Sequence, residues 1–167
     1  MSWYNSDGLL VKLGTEEGTV GIGGETGMTG DRRELAFDMS QALLLSLTSV
    51  AGAVILGDNL WLPKNARIEE VEVEVITAVT MTGSGTFDLG LIRTDRSTQL
   101  DYDGLVAAAA KATLTPAGAR LNLIAGSTAA GALIGTTLSN NGYLVANYNT
   151  GAFTAGALRV RIKYMFL

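Results

Sequence analysis

Glu70, Glu72 and Glu74 occupy alternate positions in the stretch RIEEVEVEVIT, residues 67–77, with Val71, Val73 and Val75 between them. In an extended chain alternate side chains share one face, about 6.6 Å apart along the strand. Carboxylates in such a row could ligate a hard cation or serve as an acid–base pair. Catalytic carboxylate pairs, however, usually come from different elements that meet in a cleft. Three readings stay open: a solvated strand face, a row paired with a basic neighbour, or contacts across a subunit boundary. The last segment, ALRVRIKYMFL, supplies Arg159, Arg161 and Lys163 with the same period and the opposite sign. If the two strands are neighbours, each good cross-strand pair contributes a few tenths to ~1 kcal/mol.

Asp95, Asp101 and Asp103 in TDRSTQLDYDGL suggest a calcium loop. The EF-hand template fails when Gly104 takes its sixth position. Gln99 then stands first and Ala110 twelfth, where an acid and a bidentate glutamate are required. A looser cation site in this loop is left open beside a tight turn at Asp95-Arg96. GIGGETGMTG satisfies neither the dinucleotide nor the phosphate-loop spacing, because Thr26 stands where the last glycine should be and no lysine follows. The chain has no histidine and no cysteine. That removes the commonest general base, the Ser-His-Asp arrangement, disulfides and zinc–thiolate sites. The expectation is no enzyme, no catalytic or metal-binding residue and no cofactor; a hydrolase built on Asp and Glu alone is the remaining enzymatic alternative.

These side chains need a scaffold, and the patterning points to strands. Residues 34–47 and 53–62 carry apolar runs of strand length, and the Ala-Gly-Ala of residues 51–53 reads as a bend between two buried strands. Turns are expected at Gly57-Asp58-Asn59 and Pro63-Lys64-Asn65. TGSG, residues 82–85, reads as a hairpin connection into TFDLGLIRT, where Phe87, Leu89 and Leu91 share a face. Further strands are expected at 119–125, 132–138 and 142–148. Leu158, Val160, Ile162, Tyr164 and Phe166 form one apolar face of the last strand. DGLVAAAAKAT reads as the one helix, with Asp103 capping its first turn. The fold expected is all-β: an antiparallel β-sandwich of jelly-roll type, about eight strands with one short helix.

Residues 1–32 hold eight glycines and one short apolar run. They read as an extended N-terminal arm that orders against another surface, with residues 33–167 forming the sandwich domain. Trp3, Tyr4, Leu9 and Leu10 are candidate anchors to a partner, and Arg32 and Arg33 close the arm. The 167 residues suit one domain and are 47% apolar and 17% charged, with 21 glycines and two prolines. A net charge of −4 argues against nucleic acid as partner. The apolar stretch 42–57 is short for a membrane span and carries Ser46, Thr48 and Ser49, and the first residues lack a signal-peptide pattern, so no membrane association is expected.

LWLPKNARIEEVEVEVITAV, GTFDLGLIRTDRSTQLDYDGLVAA and the closing GALRVRIKYMFL together resemble the capsid decoration, or cement, proteins of tailed bacteriophages that have a jelly-roll core. The resemblance covers roughly residues 60–167. It rests on a Pro63-x-x-Ala66 turn into a long strand, on Gly90-Leu91-Ile92-x-x-Asp95, and on Asp101-x-Asp103-Gly104 leading into a short helix. It implies a virion protein assembled in the host cytoplasm and seated as a homotrimer on the outer capsid surface, where it clamps neighbouring subunits of the major capsid protein without catalysis. The arm would grip the capsid. The alternative is another virion part with the same core, such as a head-fibre base, a tail component or a glycan-binding domain. Tyr143, Tyr148, Asn140, Asn141, Asn147 and Asn149 would then contact the glycan.

Overall fold

The computed structural model describes residues 2–4, 10–12, 32–49 and 53–166. Its centre is an antiparallel pair of long strands, β6 (Ala66–Met81) and β11 (Phe153–Phe166). Strict alternation makes this pair. Val71, Val73 and Val75 face inward opposite Ile162, Val160 and Leu158, and all six are at most 1% exposed. Burying each such side chain contributes about 1.5–3 kcal/mol relative to exposure. β3 (Arg32–Met39) flanks β11, and β9 (Arg120–Ile124) flanks β6, giving a four-stranded sheet ordered β3-β11-β6-β9.

The facing sheet runs β4-β10-β7-β8, with β4 at Val54–Ile55, β10 at Gly142–Asn149, β7 at Thr86–Arg93 and β8 at Gln99–Ala110. The two-residue β5 (Trp61–Leu62) also pairs with β10. Taking β4 and β5 as one strand position, successive strands change sheet at every connection from β5 onward except β7–β8. That is the jelly-roll ordering, and the fold is an antiparallel β-sandwich, as the patterning anticipates. The core lies between the sheets, where Leu89, Leu91, Leu144 and Ala146 meet the valines of β6, and Phe87 packs edge-on against Phe153 with ring centroids 5.9 Å apart.

Four expectations need correction. The alanine run is strand, not helix: β8 extends through Ala110, and only α2 (Lys111–Leu114) is helical, with no side-chain cap. Asp103 therefore lies within a strand. Leu105, Val106 and Ala109 are buried in the sandwich, and that packing outweighs the helix propensity of alanine, which is a weak prior over so short a segment. Second, TGSG joins β6 to β7 in opposite sheets, so it is a crossover and not a hairpin. It packs beside the β10–β11 crossover. Thr82 N–H donates to the Ala152 carbonyl at 2.9 Å, and Gly85 and Gly151 sit too close for side chains on either. Third, the apolar segment after β3 opens with α1 (Gln41–Ser46), capped by Ser40 accepting from Leu43 N–H, where strand was expected. Among the described residues no helix is long and apolar enough to cross a membrane.

The fourth correction is residues 132–138, which form successive turns and not a strand. Gly135 adopts φ 86° there. The Leu138 N–H donates to the Ala66 carbonyl and the Ile68 N–H to the Thr136 carbonyl, so the segment continues the edge of β6 beyond β9. At its start it braces a bulge in β8. Leu89 pairs with Val106 and Leu91 with Asp101, so four residues of β8 oppose Gly90 alone. The extra residues fold over the outer face of β7, backed by hydrogen bonds from Leu133 N–H to the Gly104 carbonyl and from Ala107 N–H to the Ala129 carbonyl. Bulges of this kind re-aim side chains and bend the strand that carries them.

A Cβ on Gly90 would collide with the backbone of Asp101 and Tyr102. Gly90→Ala is expected to lower stability by about 2–3 kcal/mol, read as a drop in urea midpoint, because the clash is with backbone that cannot rotate away. An unchanged midpoint would mean that β8 does not cross β7 at this point.

Candidate functional site

The outer face of the β3-β11-β6-β9 sheet gathers the charged residues. Parity sends Glu70, Glu72 and Glu74 outward from β6, and Arg159, Arg161 and Lys163 outward from β11 beside them. Lys163 Nζ donates to Glu70 Oε2 at 2.9 Å. Arg161 spans two glutamates, with Nη1 donating to Glu72 Oε1 at 2.7 Å and Nη2 to Glu74 Oε2 at 3.1 Å. Arg159 stands opposite Glu74 in the backbone register but turns to the other side. It grips Asp38 on β3 through Nε at 2.7 Å and Nη2 at 3.1 Å. Glu74 is completed instead by Arg120 of β9 at 3.0 Å, which also approaches Glu72 at 3.6 Å.

The row is thus a four-strand charge ladder and not a set of isolated pairs. Asp38 and Arg120 were missed in the sequence because each lies on a flanking strand whose place in the sheet no local pattern reveals. Only the outward parity of Asp38 in RRELAFDM hints at it. The electrostatics follow the geometry. The Arg159 hydrogen bond, with its charge, holds the Asp38 carboxyl below its ordinary value against a smaller opposing effect of desolvation. For Glu74 desolvation favours the neutral form, yet the guanidiniums of Arg120 and Arg161 outweigh it and the carboxyl is also lowered. The Glu70 hydrogen bond raises Lys163.

The residues that close the arm are the first two of β3. Arg32 reaches Glu69 at 3.3 Å, and the Arg33 guanidinium lies 4.8 Å from the centre of the Phe166 ring. Trp3 and Tyr4 lie on β1 (Ser2–Tyr4), which pairs antiparallel with β2 (Leu10–Lys12), Tyr4 opposite Leu10. Leu9 and most of the remaining residues to position 31 lie outside the described residues.

The three aspartates do not act together. Asp95 closes the β7–β8 turn, where its carboxylate accepts the Ser97 and Thr98 N–H groups at 2.8 and 2.7 Å and the Thr98 hydroxyl at 2.6 Å. These bonds hold its carboxyl far below the usual range. Asp101 and Asp103 sit in the β8 bulge, and there burial followed by the neighbouring Asp103 pushes the Asp101 carboxyl up to about 6. Among the described residues no three acidic side chains are grouped to hold a metal ion. The Asp-x-Asp-Gly motif therefore marks a bulge, for which a glycine inside a strand is the sequence signal.

With this geometry in view, the fold is similar to that of a chain in the capsid of Ralstonia phage GP4. The match covers 89% of this chain and 94% of the other, at a TM-score of 0.55 and 20% identity. A second solved structure, the acidic stable capsid of Helicobacter pylori bacteriophage KHP30, aligns over 81% of this chain and 86% of that one, at a TM-score of 0.44 and 13% identity. No protein-family model and no curated protein sequence matches the chain. The first likeness is one of fold, and it extends over nearly the whole of both chains.

Replacing Arg161 by Met keeps the apolar stem but leaves Glu72 and Glu74 with Arg120 as their one shared cation among the described residues. The expected loss is about 1–2 kcal/mol, shrinking in high salt, whereas Arg32→Met at the exposed Glu69 pair stays within about 0.5 kcal/mol. Urea titrations of both variants at two salt concentrations check the contrast.

Stability should also follow pH in two separate windows. Asp38 and Glu74, lowered from ordinary values of 3.8 and 4.5, contribute stability that is full above those values and lost as pH falls through their folded ones. Asp101, raised from 3.8 to about 6, does the reverse, and stability falls as pH rises between those values. Asp101→Asn should reduce the fall of the urea midpoint between about pH 4 and 6 and leave the acid limb in place. Asp38→Asn should soften the acid limb alone.

Proposed function

We propose that the protein is a structural component of a bacteriophage virion, a capsid decoration or cement protein. In this reading it sits as a homotrimer on the outer surface of the head and clamps neighbouring subunits of the major capsid protein, with no catalytic role. The observation that carries the proposal is the fold shared with a chain of the Ralstonia phage GP4 capsid over nearly the full length of both chains. The resemblance of residues 60–167 to decoration proteins supports the finer role.

The chemistry is consistent with it. The sandwich core built on Val71, Val73, Val160 and Ile162 is continuous and apolar, as a structural role requires. The ladder face matches acid to base strand by strand, so its contacts with other subunits would depend on shape more than on net charge. Trp3, Tyr4, Leu9 and Leu10 are proposed as the capsid-gripping part of the arm, since aromatic and apolar side chains on a glycine-rich segment supply interface anchors.

The test is sedimentation with heads of the parent virus. The full chain should co-sediment with expanded heads and behave as a trimer by light scattering. Deletion of residues 1–31 should weaken head binding by at least about tenfold while leaving the sandwich folded. A monomer that never co-sediments would sink the proposal.

A further inference from the structure

The outer face of the second sheet is unlike the charge ladder and carries a cleft of about 420 Å³. Its floor is a cross-strand pair, Asn147 of β10 opposite Asp88 of β7. Both are buried, Asn147 completely and Asp88 at 6% exposure. Gln99, Tyr102, Asp103 and Asn149 line the remainder. The β8 bulge supplies Tyr102 and Asp103, so the cleft exists because β8 leaves the plane of the sheet beside Gly90.

Two facts make the floor unusual. Asp88 accepts the Ala108 N–H at 2.6 Å, and burial then the nearby Asp103 charge push its carboxyl upward, although that hydrogen bond opposes the shift. Asn147 is more telling, because among the described residues neither its Oδ1 nor its Nδ2 has a hydrogen-bond partner. A buried amide unpaired at both ends is costly and rare in folded proteins. Its position in the lining of a polar cleft points to a ligand that completes it.

The required ligand can be narrowed by its donors and acceptors. Asn147 needs a donor for Oδ1 and an acceptor for Nδ2, while an ionised Asp88 only accepts. An ammonium or guanidinium group offers donors alone and would leave Nδ2 unpaired. An anion would meet the charges of Asp88 and Asp103. An added peptide strand would need a free backbone edge, but β10 is already paired with β4, β5 and β7, and β7 with β10 and β8. Adjacent hydroxyl groups meet every condition, since each both donates and accepts. Tyr102 lines the same cleft and supplies an aromatic ring, and Gln99 and Asn149 supply further amides. The volume lies within the usual range for small-molecule sites.

We propose that this cleft is a carbohydrate-binding site that takes a neutral hexopyranose ring, with Asp88 and Asn147 bonded to adjacent hydroxyls and Tyr102 against the ring. The site lies on the sheet opposite the ladder face, and it does not depend on the capsid role. On a surface protein it would give weak adhesion to polysaccharide.

The test is a titration of the ¹⁵N-labelled full chain with glucose, galactose, mannose, N-acetylglucosamine and N-acetylgalactosamine, each to about 50 mM, followed by amide chemical shifts. At least one sugar should cause saturable, millimolar shifts at the amides of Asp88, Ala108 and Asn147. Tyr102→Ala and Asp103→Asn, both on the rim and spared the folding risk of the floor, should weaken that binding by roughly tenfold or more. Sialic acid should cause none, because its carboxylate would face Asp88 and Asp103. Absence of saturable shifts with all five sugars overturns the proposal and leaves water as the occupant of the floor. Binding unaffected by the rim variants, or the same shifts produced by arginine or calcium chloride alone, overturns it as well.

Discussion

Everything in this molecule depends on the register between β6 and β11. Val71, Val73 and Val75 must lie opposite Ile162, Val160 and Leu158 for the core to close, and the same register brings Glu70 to Lys163 and Glu72 to Arg161. A slip of one residue would turn a row of glutamates into the core and the valines out to solvent. Both faces of the pair therefore favour one alignment, the inner by hydrophobic burial and the outer by charge. The inner face supplies most of the stability, while the charges act chiefly by excluding alternatives. β3 and β9 extend the arrangement, adding Asp38 and Arg120 so that four acids and four bases share one surface.

The jelly-roll path then makes the two outer faces chemically different. Crossovers between sheets have to pass close to one another at the ends of the sandwich, and Gly85 and Gly151 allow two of them to pack backbone to backbone. On the second sheet, β8 cannot follow β7 in plain register because four residues stand opposite Gly90. The surplus folds outward, on the face where Val145 and Ile92 are buried outside the main core. The same excursion builds the wall of the Asp88–Asn147 cleft. One face is a closed, self-neutralised ladder, and the other is a concave polar surface with an unsatisfied floor.

This division is compatible with the structural role proposed above. A stable sandwich with a matched charged face can be held against neighbouring subunits, while its other face meets solvent or a passing ligand. The ladder and the cleft draw on residues of different sheets, so the two proposals can be tested separately.

The sequence by itself determined the strands of strict alternation, β6, β7 and β11, with their inward and outward residues, because period-two patterning is a local property that burial on one face enforces. It also carried the sandwich class and the opposite signs of the Glu70–Glu74 and Arg159–Lys163 rows. Only the tertiary structure decided that Arg159 turns to Asp38 and leaves Glu74 to Arg120, since that depends on which strands flank the pair. The same holds for the alanine run, where helix propensity pointed one way and long-range pairing with β7 won. Asn147 and Asn149 could be named from the sequence as candidate glycan contacts, but the cleft around them could not. Only the bulge of a distant strand walls Asn147 in beside Asp88.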